Sequence, residues 1–260
     1  MKYQFSYLVE IQYLGFRFHG WQKQPDIKTV HLMVDKTLKF IYAGVRLKSL
    51  GVGRTDARVS ANHYAFQFFI DTEVALDEFV ANFNFNSPGD VRALAIKNID
   101  KKFNVISHPK VKEYRYYFSF GSKNHPYSAP FITGYLADFD INLMKAGAAL
   151  FVGVYNFKKY CTKPTEETKV VREIISCVIE PNTDLTANFF PKESYVLKVK
   201  GEGFLRNQIR LIMGTLSDLG SGKVDLDFIK DSLDPDSNLE FIRNIAPASG
   251  LHLHKIDFIE

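Results

Sequence analysis

The chain has 260 residues, of which 46% are hydrophobic and 24% are charged, and its formal net charge is +4 at pH 7. This size and apolar content exclude a disordered polypeptide and fit one large domain or two smaller ones. The modest positive charge is compatible with nucleic-acid binding but does not by itself identify it.

The two cysteines, Cys161 and Cys177, lie far apart and form no CxxC pattern. They indicate reduced, structural thiols, and no group of histidines accompanies them as a zinc site would require. No apolar run approaches the roughly 20 residues of a membrane helix, and residues 1–6 lack a signal-peptide core. We therefore expect a soluble, cytoplasmic protein with no membrane segment and no metal.

In the first part of the chain, hydrophobic periodicity predicts alternating strands and helices. Thr29 is the expected N-cap of the first helix, whose inner face is expected at Leu32, Met33, Leu38 and Ile41. The predicted elements are a strand over 3–13, a helix over 29–41, a strand over 64–70, a helix over 76–85 and a strand over 91–98.

A polar stretch over residues 100–110 indicates a boundary, and we divide the chain into residues 1–105 and residues 106–260. The second part again alternates strands with helices. Its predicted elements are strands over 110–120, 170–180 and 194–200, helices over 142–151 and 226–233, a helix ending near 219, and a last strand after 250.

The segment 53–61 carries a single carboxylate, Asp56, between Arg54 and Arg58. It precedes the predicted strand 64–70, so the carboxylate lies on a turn at the edge of a rigid frame. Two neighbouring guanidinium groups favour its ionised form, which can act as a nucleophile or a base. The simpler interpretation is that Asp56 caps a turn and pairs with Arg54.

Two further segments have functional as well as structural interpretations. In the strand 110–120, Tyr114 and Tyr116 share one face, which an aromatic core face would also explain. Residues 201–210 open a predicted helix, and their spacing places Arg210 about two turns into it. The simpler interpretation of Arg210 is an exposed helix arginine.

Lysines cluster shortly before the strand predicted over 170–180. Lys158 and Lys159 are followed by Lys163 and Lys169. Such a run is usually a solvated face, but in an RNA-binding protein it is a candidate for phosphate contacts.

These segments together resemble the TruA family of tRNA pseudouridine synthases. The family has an active-site loop like residues 53–61, a Lys/Arg-x-Tyr-x-Tyr motif like residues 112–116, and a Gly-x-x-Phe-Leu motif followed by Arg, like residues 201–210. The remaining matches lie along the whole chain: Tyr13, Gly15, Gly20, Trp21, Gln22, Pro88, Asp90, Val91, Phe151, Gly153, Phe157 and the closing segment 246–251.

The resemblance implies an α+β fold of two ferredoxin-like or RRM-like halves. Each half would have a mostly antiparallel sheet with helices on one face, and a basic active-site cleft would lie between the halves. It implies conversion of uridine to pseudouridine in tRNA, at positions 38–40 of the anticodon stem-loop, by a homodimer. The reaction imports no group and changes no oxidation state, so neither a cofactor nor a metal is expected.

The resemblance also assigns roles to individual residues. Asp56 is the essential carboxylate, Tyr114 stands beside the target base, and Arg210 pairs with Asp56. The expected RNA contacts are Arg54, Arg58, Lys112, Arg115, Lys158, Lys159 and Arg206. The expected supports of the active site are Gly53, Thr55, Phe204 and Leu205.

Departures from the family pattern indicate a diverged member. Leu14 replaces an Asp, Ser60 replaces the His of bacterial members, and Tyr155 and Asn156 replace a His-Asp pair. A further departure adjoins the catalytic turn: Arg58 stands where the family has Gly, and it would strain the loop if that position needs a positive φ.

Three alternatives to this activity remain open. One is an RNA-binding paralogue that has kept the fold and lost the chemistry, and another is a synthase with a different target uridine. The third, from another class, is an unrelated α+β hydrolase that uses Asp56 and Glu202 on a small glycoside.

Overall fold

A computed structural model describes residues 3–100 and 102–259 of the chain. It is a mixed α/β structure in which the described residues form five α-helices. The strands are β1 (Phe5–Tyr13), β2 (Leu47–Gly51), β3 (Ser60–Ile70), β4 (Val91–Asn98), β5 (Lys110–Ser119), β6 (Thr133–Gly134), β7 (Gly153–Asn156), β8 (Val171–Ile174), β9 (Ser176–Pro181), β10 (Tyr195–Gly201) and β11 (Leu251–Phe258). The helices are α1 (Val30–Ile41), α2 (Leu76–Asn86), α3 (Ile141–Ala149), α4 (Gln208–Gly220) and α5 (Leu226–Leu233).

The chain divides into two compact units. The first comprises the described residues up to Lys110 together with those from Leu253 onward, and the second is Val111–His252. The division near residue 110 lies close to the predicted boundary at 105. The final residues, which the sequence assigned to the second half, group with the first unit.

In the first unit the strands pair in the order β4-β1-β3-β11, and β2 also pairs with β3. The β1–β3, β1–β4 and β2–β3 pairs are antiparallel. Aromatic side chains fill the core, among them Phe66 and Phe68 from β3 and Phe79 and Phe83 from α2, each at most 1% exposed.

Helix α1 begins where the sequence predicts, because the Oγ1 of Thr29 accepts a hydrogen bond from the backbone N–H of Leu32 at 3.3 Å. The prediction of its inner face was mostly wrong. The buried stripe runs through Val30, Val34 and Leu38, which follow one another at four-residue intervals. Of the predicted inner residues, Leu38 is buried and the other three are half-buried.

In the second unit the strands pair in the order β5-β10-β9. Strand β10 is antiparallel to both neighbours, β6 pairs with β5 in parallel, and β7 and β8 form a separate antiparallel pair. Helices α3 and α4 approach closely, since a Cβ on Gly147 would lie 2.4 Å from the side chain of Leu219.

The structure corrects two predicted elements of this unit. The single strand predicted over 170–180 is interrupted at Ile175, so that β8 pairs with β7 and β9 pairs with β10. The helix predicted to open in the segment 201–210 begins only at Gln208. Asn207 precedes it with a φ of 60°, a left-handed conformation that cannot continue a right-handed helix. Arg210 therefore lies in the first turn, not two turns into the helix.

Among the helices of the described residues, none has the length and apolar character needed to cross a membrane.

Candidate active site

The loop that carries Asp56 joins β2 to β3 and is held on both sides of the carboxylate. On one side, the Tyr64 hydroxyl donates a hydrogen bond to the Gly53 carbonyl at 2.6 Å. Next to Asp56, the Thr55 hydroxyl is 2.9 Å from the Tyr13 hydroxyl, and the Thr55 carbonyl accepts from the backbone N–H of Trp21 at 3.2 Å. The loop is thus fixed to a strand before it, a strand after it and the Trp21 segment.

Two glycines let the segment after β1 lie directly against this loop. A Cβ on Gly15 would be 1.9 Å from the Val59 carbonyl oxygen, and one on Gly20 would be 2.4 Å from the Thr55 carbonyl oxygen. Gly20 also has a φ of 81°, which L-residues with a side chain rarely adopt. The two contacts give a physical reason for the Gly15 and Gly20 matches in the sequence.

Asp56 begins a tight turn. The backbone N–H of Val59 donates to the Asp56 carbonyl at 3.2 Å, and the N–H of Arg58 donates to the Phe18 carbonyl at 2.9 Å. Arg58 has a φ of 67°. This position therefore has the positive φ at which the sequence analysis expects Arg58 to strain the loop. The Arg58 guanidinium lies 5.8 Å from the centre of the Phe16 ring, within the range of a cation–π contact.

Behind Trp21 lies a polar cluster that the sequence analysis missed. The ring of Trp21 stacks on that of His31 at 5.1 Å, and the His31 Nε2 is 2.8 Å from the Ser49 Oγ. Ser49 in turn donates a short hydrogen bond to Asp35, which also pairs with Lys23. The spacing of His31 and Asp35, four residues apart on α1, was a usable signal because such pairs share one face of a helix.

His31 is held as a neutral imidazole. Because the Ser49 hydroxyl donates to Asp35, it accepts from the Nε2–H of His31, which leaves Nδ1 as the unprotonated nitrogen. Nδ1 is buried without a hydrogen-bond partner among the described residues, so a proton there would be buried unpaired. Burial accordingly lowers the pKa of His31, against the opposing influence of Asp35.

In the second unit, Tyr114 is placed by the pairing of β5 with β10. It lies opposite Val199, and Lys112 lies opposite Gly201, where the Gly-x-x-Phe-Leu segment starts. The Tyr114 side chain is 8% exposed, and its ring meets the ring of Phe204 edge to face at 5.4 Å. The structure therefore brings together the predicted base-contacting Tyr114 and the predicted support Phe204.

Arg210 is half-buried and anchored to the closing segment of the chain. Its Nε donates to the Ala246 carbonyl at 2.7 Å, and its Nη1 donates to the Oδ1 of Asn207 at 3.1 Å. The same segment is held by the Tyr116 hydroxyl, which donates to the Pro247 carbonyl at 2.8 Å. Burial raises the pKa of Tyr116 well above its usual range, so that the hydroxyl remains a donor.

The predicted RNA contacts differ in their surroundings. Arg54 and Arg206 are exposed, Lys158 is exposed, and Lys159 donates to the Asp234 carbonyl at 2.7 Å. Arg115 is only 15% exposed and forms ion pairs with Glu113 and with Asp184. These carboxylates give Arg115 a structural role within the unit, while its contact with RNA stays a prediction.

Asp56 belongs to the first unit, and Tyr114 and Arg210 belong to the second. Their joint action at one site stays a prediction. Within residues 3–100 and 102–259, no three His, Cys, Asp or Glu side chains are grouped so that they could hold a metal ion.

Two comparisons with known proteins agree. A family model described as tRNA pseudouridine synthase matches residues 148–258. The tRNA pseudouridine synthase A of Listeria monocytogenes is 29% identical over 252 residues, covering 97% of this chain and 98% of the relative. The protein of the same name from Shouchella clausii is 29% identical, with 96% and 92% covered, and tRNA pseudouridine synthase A 1 of Bacillus cereus is 29% identical, with 95% and 96% covered. The similarity extends over nearly the whole chain and confirms the resemblance to tRNA pseudouridine synthases that the motifs indicate.

Proposed function

We propose that this protein isomerises uridine to pseudouridine in tRNA. The reaction breaks the C1′–N1 glycosidic bond, turns the uracil and joins C5 to C1′. The observation that carries the proposal is the similarity to tRNA pseudouridine synthases over 97% of the chain. It is supported by the loop of Asp56, which two glycine contacts and four hydrogen bonds with Tyr64, Tyr13, Trp21 and Phe18 hold in place between β2 and β3.

Asp56 is the proposed essential carboxylate. In its ionised form it can attack C1′, stabilise oxocarbenium-like charge at C1′, or remove a proton from the sugar. Arg210 would hold this carboxylate ionised and oriented, because a guanidinium can give a carboxylate two parallel hydrogen bonds. The bonds of Arg210 to Ala246 and Asn207 support this role, since they fix the plane of the guanidinium.

Tyr114 is the proposed contact of the target base. A base must leave its stack to be turned, at a cost of about a few kcal/mol, and an aromatic ring can offset part of this cost by stacking. The edge-to-face contact with Phe204 fixes the Tyr114 ring for such an encounter. Arg54 would enter the space that the base vacates or hold a phosphate.

The finer features of the substrate and assembly are also proposals. We place the target in the anticodon stem-loop, at positions 38–40, and the protein in the cytoplasm as a homodimer. Phosphate contacts are proposed at Arg58, Lys112, Arg115, Lys158, Lys159 and Arg206. The masses of the free protein and of its tRNA complex, measured by light scattering, test the dimer: a monomer in both would contradict it.

One observation favours a second candidate, an RNA-binding paralogue that has lost the chemistry. Arg58 holds a left-handed conformation and places a bulky cation two residues from Asp56. Such a protein would bind tRNA but would not convert uridine.

Mass-spectrometric mapping of pseudouridine on unmodified tRNA separates the candidates. We expect the parent protein to produce pseudouridine at defined positions, and Asp56→Ala to produce none while still binding tRNA. Tight, salt-sensitive binding without pseudouridine from either protein would support the paralogue. In that case Arg58→Gly is the first variant to measure for recovered activity.

A further inference from the structure

We propose that Asn207 is a positioning residue for Arg210, held in turn by Thr162. The proposal rests on the catalytic role given above to Arg210. It concerns one short stretch of the second unit, the turn between the Gly-x-x-Phe-Leu motif and helix α4, and it assigns a function to a side chain that no motif singled out.

Both ends of the Asn207 side chain are used. Its Oδ1 accepts a hydrogen bond from the Nη1 of Arg210 at 3.1 Å, and its Nδ2 donates to the Oγ1 of Thr162 at 2.9 Å. The orientation of the amide follows from the chemistry of its neighbour: a guanidinium only donates, so the amide oxygen must face Arg210 and the amide nitrogen must face Thr162.

The usual reason for an asparagine at the start of a helix does not apply here. An N-cap side chain normally accepts a hydrogen bond from a backbone N–H of the first turn, but the Asn207 side chain makes no such bond. The turn is closed instead by Gln208, whose Oε1 accepts from the backbone N–H of Leu205 at 2.8 Å. The Asn207 amide is thus committed to Arg210 and Thr162 rather than to the helix.

The backbone of Asn207 explains how its side chain reaches Arg210. A φ of 60° and a ψ of 9° place the residue in the left-handed region, which asparagine tolerates better than most residues. Its carbonyl still accepts from the N–H of Leu211 at 2.9 Å, so α4 starts normally. The side chain therefore meets Arg210 three residues later, across the first turn.

Two hydrogen bonds to different nitrogens orient the Arg210 guanidinium. The Ala246 carbonyl holds Nε at 2.7 Å and Asn207 holds Nη1. Because the two acceptors bind different nitrogens of one planar group, together they restrict its plane more than either bond does by itself. A catalytic carboxylate can be oriented by a guanidinium only if that plane is fixed.

Thr162 connects the Asn207–Arg210 pair to the lysines that precede it, Lys158 and Lys159. Its backbone N–H donates to the Arg206 carbonyl at 3.1 Å, and it follows closely on the turn that carries Lys158 and Lys159. A phosphate held by these lysines would thus be linked to Arg210 through Thr162 and Asn207.

Asn207→Gly tests the proposal most directly. Glycine accepts the left-handed backbone, so the variant should fold while losing both side-chain hydrogen bonds. Asp26→Gly is the matched control, because Asp26 is another residue with positive φ, 55°, in an exposed turn. Asn207→Asp keeps an acceptor for Arg210, and Thr162→Val removes only the second link.

In single-turnover reactions on tRNA, we expect Asn207→Gly to lower the rate of the chemical step about tenfold or more with the tRNA Kd changed less than twofold. Asn207→Asp should recover most of the rate, Thr162→Val should show a smaller loss, and Asp26→Gly should match the parent. An unchanged rate in Asn207→Gly, a loss confined to Kd, or an equal loss in Asn207→Asp would overturn the proposal.

A second readout does not depend on activity. The side-chain Nε–H signal of Arg210 in the ¹⁵N spectrum, assigned by its disappearance in Arg210→Lys, should be sharp in the parent and broadened or shifted in Asn207→Gly. An unchanged signal would contradict the positioning role even if the rate fell. If the parent itself made no pseudouridine, the proposed function would fail, while the Arg210 signal would still decide whether Asn207 orients the guanidinium.

Discussion

Arg58 has a backbone conformation that suits glycine, and this conformation strains the loop that carries Asp56. With a φ of 67° it pays the steric cost of a Cβ in the left-handed region, about 1–2 kcal/mol. The contact of its guanidinium with Phe16 offsets part of that cost. The catalytic turn is thus strained at a residue that also adds positive charge beside Asp56.

Comparison of two substitutions measures this strain. Arg58→Gly and Arg58→Ala both remove the guanidinium, but only glycine relieves the steric clash. We expect the glycine variant to have a free energy of unfolding about 1 kcal/mol higher than the alanine variant, measured by urea denaturation. Equal stabilities would mean that the turn does not keep its positive φ in solution.

Gly20, unlike Arg58, lies at a position with a positive φ where no side chain fits. Gly20→Ala should lower the free energy of unfolding by about 2–4 kcal/mol, since the Cβ would meet the Thr55 carbonyl oxygen at 2.4 Å with a φ of 81°. Gly44→Ala is the control: its φ is 79°, but nothing lies within 4 Å of the added Cβ. That variant should lose only about 1 kcal/mol. A similar loss in both would show that backbone conformation, rather than contact with the Asp56 loop, decides the cost.

At the scale of elements, a strand escapes prediction when a polar residue occupies its inward position. Strand β4 and helix α5 have the predicted bounds, and in α5 the apolar residues Leu226, Ile229 and Leu233 recur at helical spacing. Strand β2 was missed because its fully buried residue is Ser49, whose hydroxyl faces His31 and Asp35. A polar residue at the inward position hides the alternation that marks a strand.

The candidate site was likewise only partly predictable from the sequence. The loop of Asp56 and the strand of Tyr114 could be found from local motifs, because each depends on neighbours in sequence. The polar cluster of His31 and the bond between Asn207 and Arg210 depend on contacts that only the folded chain creates. The start of α4 was misplaced for a related reason: the left-handed angle of Asn207 leaves no mark in the hydrophobic pattern.

The polar cluster behind Trp21, which contains His31, predicts how the stability of the protein changes with pH. Burial lowers the pKa of His31 below its ordinary 6.5, so the unfolded chain binds its proton more readily. The stabilising contribution is complete above about pH 6.5 and is lost as the pH falls below that value. The charged groups that face His31 are Asp35, which opposes the shift, and Lys23, which supports it.

His31→Gln should flatten this dependence. We expect the slope of unfolding free energy against pH, between about pH 7 and pH 5, to fall by up to about 1.4 kcal/mol per pH unit. The parent protein, measured alongside the variant, supplies the reference slope. Urea denaturation at a series of pH values measures both, and a parent-like slope in His31→Gln would exclude this histidine as the source.

At the scale of the whole molecule, the last strand belongs to the unit that the first 110 residues build. From Leu253 onward, β11 supplies buried side chains, and the N–H of Ile256 donates to the Nδ1 of His63 at 3.1 Å. Further along, the N–H of Ile259 donates to the Pro109 carbonyl at 3.0 Å. The first unit is therefore closed by residues from both ends of the described chain.

Truncation of one β11 side chain should weaken the first unit. Ile256 is 2% exposed, and Ile256→Ala should cost about 2–4 kcal/mol of unfolding free energy. Ile259, at 45% exposed, provides the control, and Ile259→Ala should change stability by less than about 0.5 kcal/mol. Hydrogen exchange should show the loss of protection first in β1 and β3. Faster exchange confined to residues 111–252 would contradict this assignment of β11.

The return of β11 also sets an order of events on the ribosome. All of Val111–His252 is synthesised before the part of β11, from Leu253 onward, that completes the first unit. The first unit therefore still lacks most of β11 after the second unit's residues have been made, although the first began to emerge earlier. During translation, part of the edge of β3 stays unpaired until β11 is made. Unpaired strand edges are sites where nascent chains associate wrongly. Chaperone demand for this protein should therefore fall on its earliest residues rather than its latest.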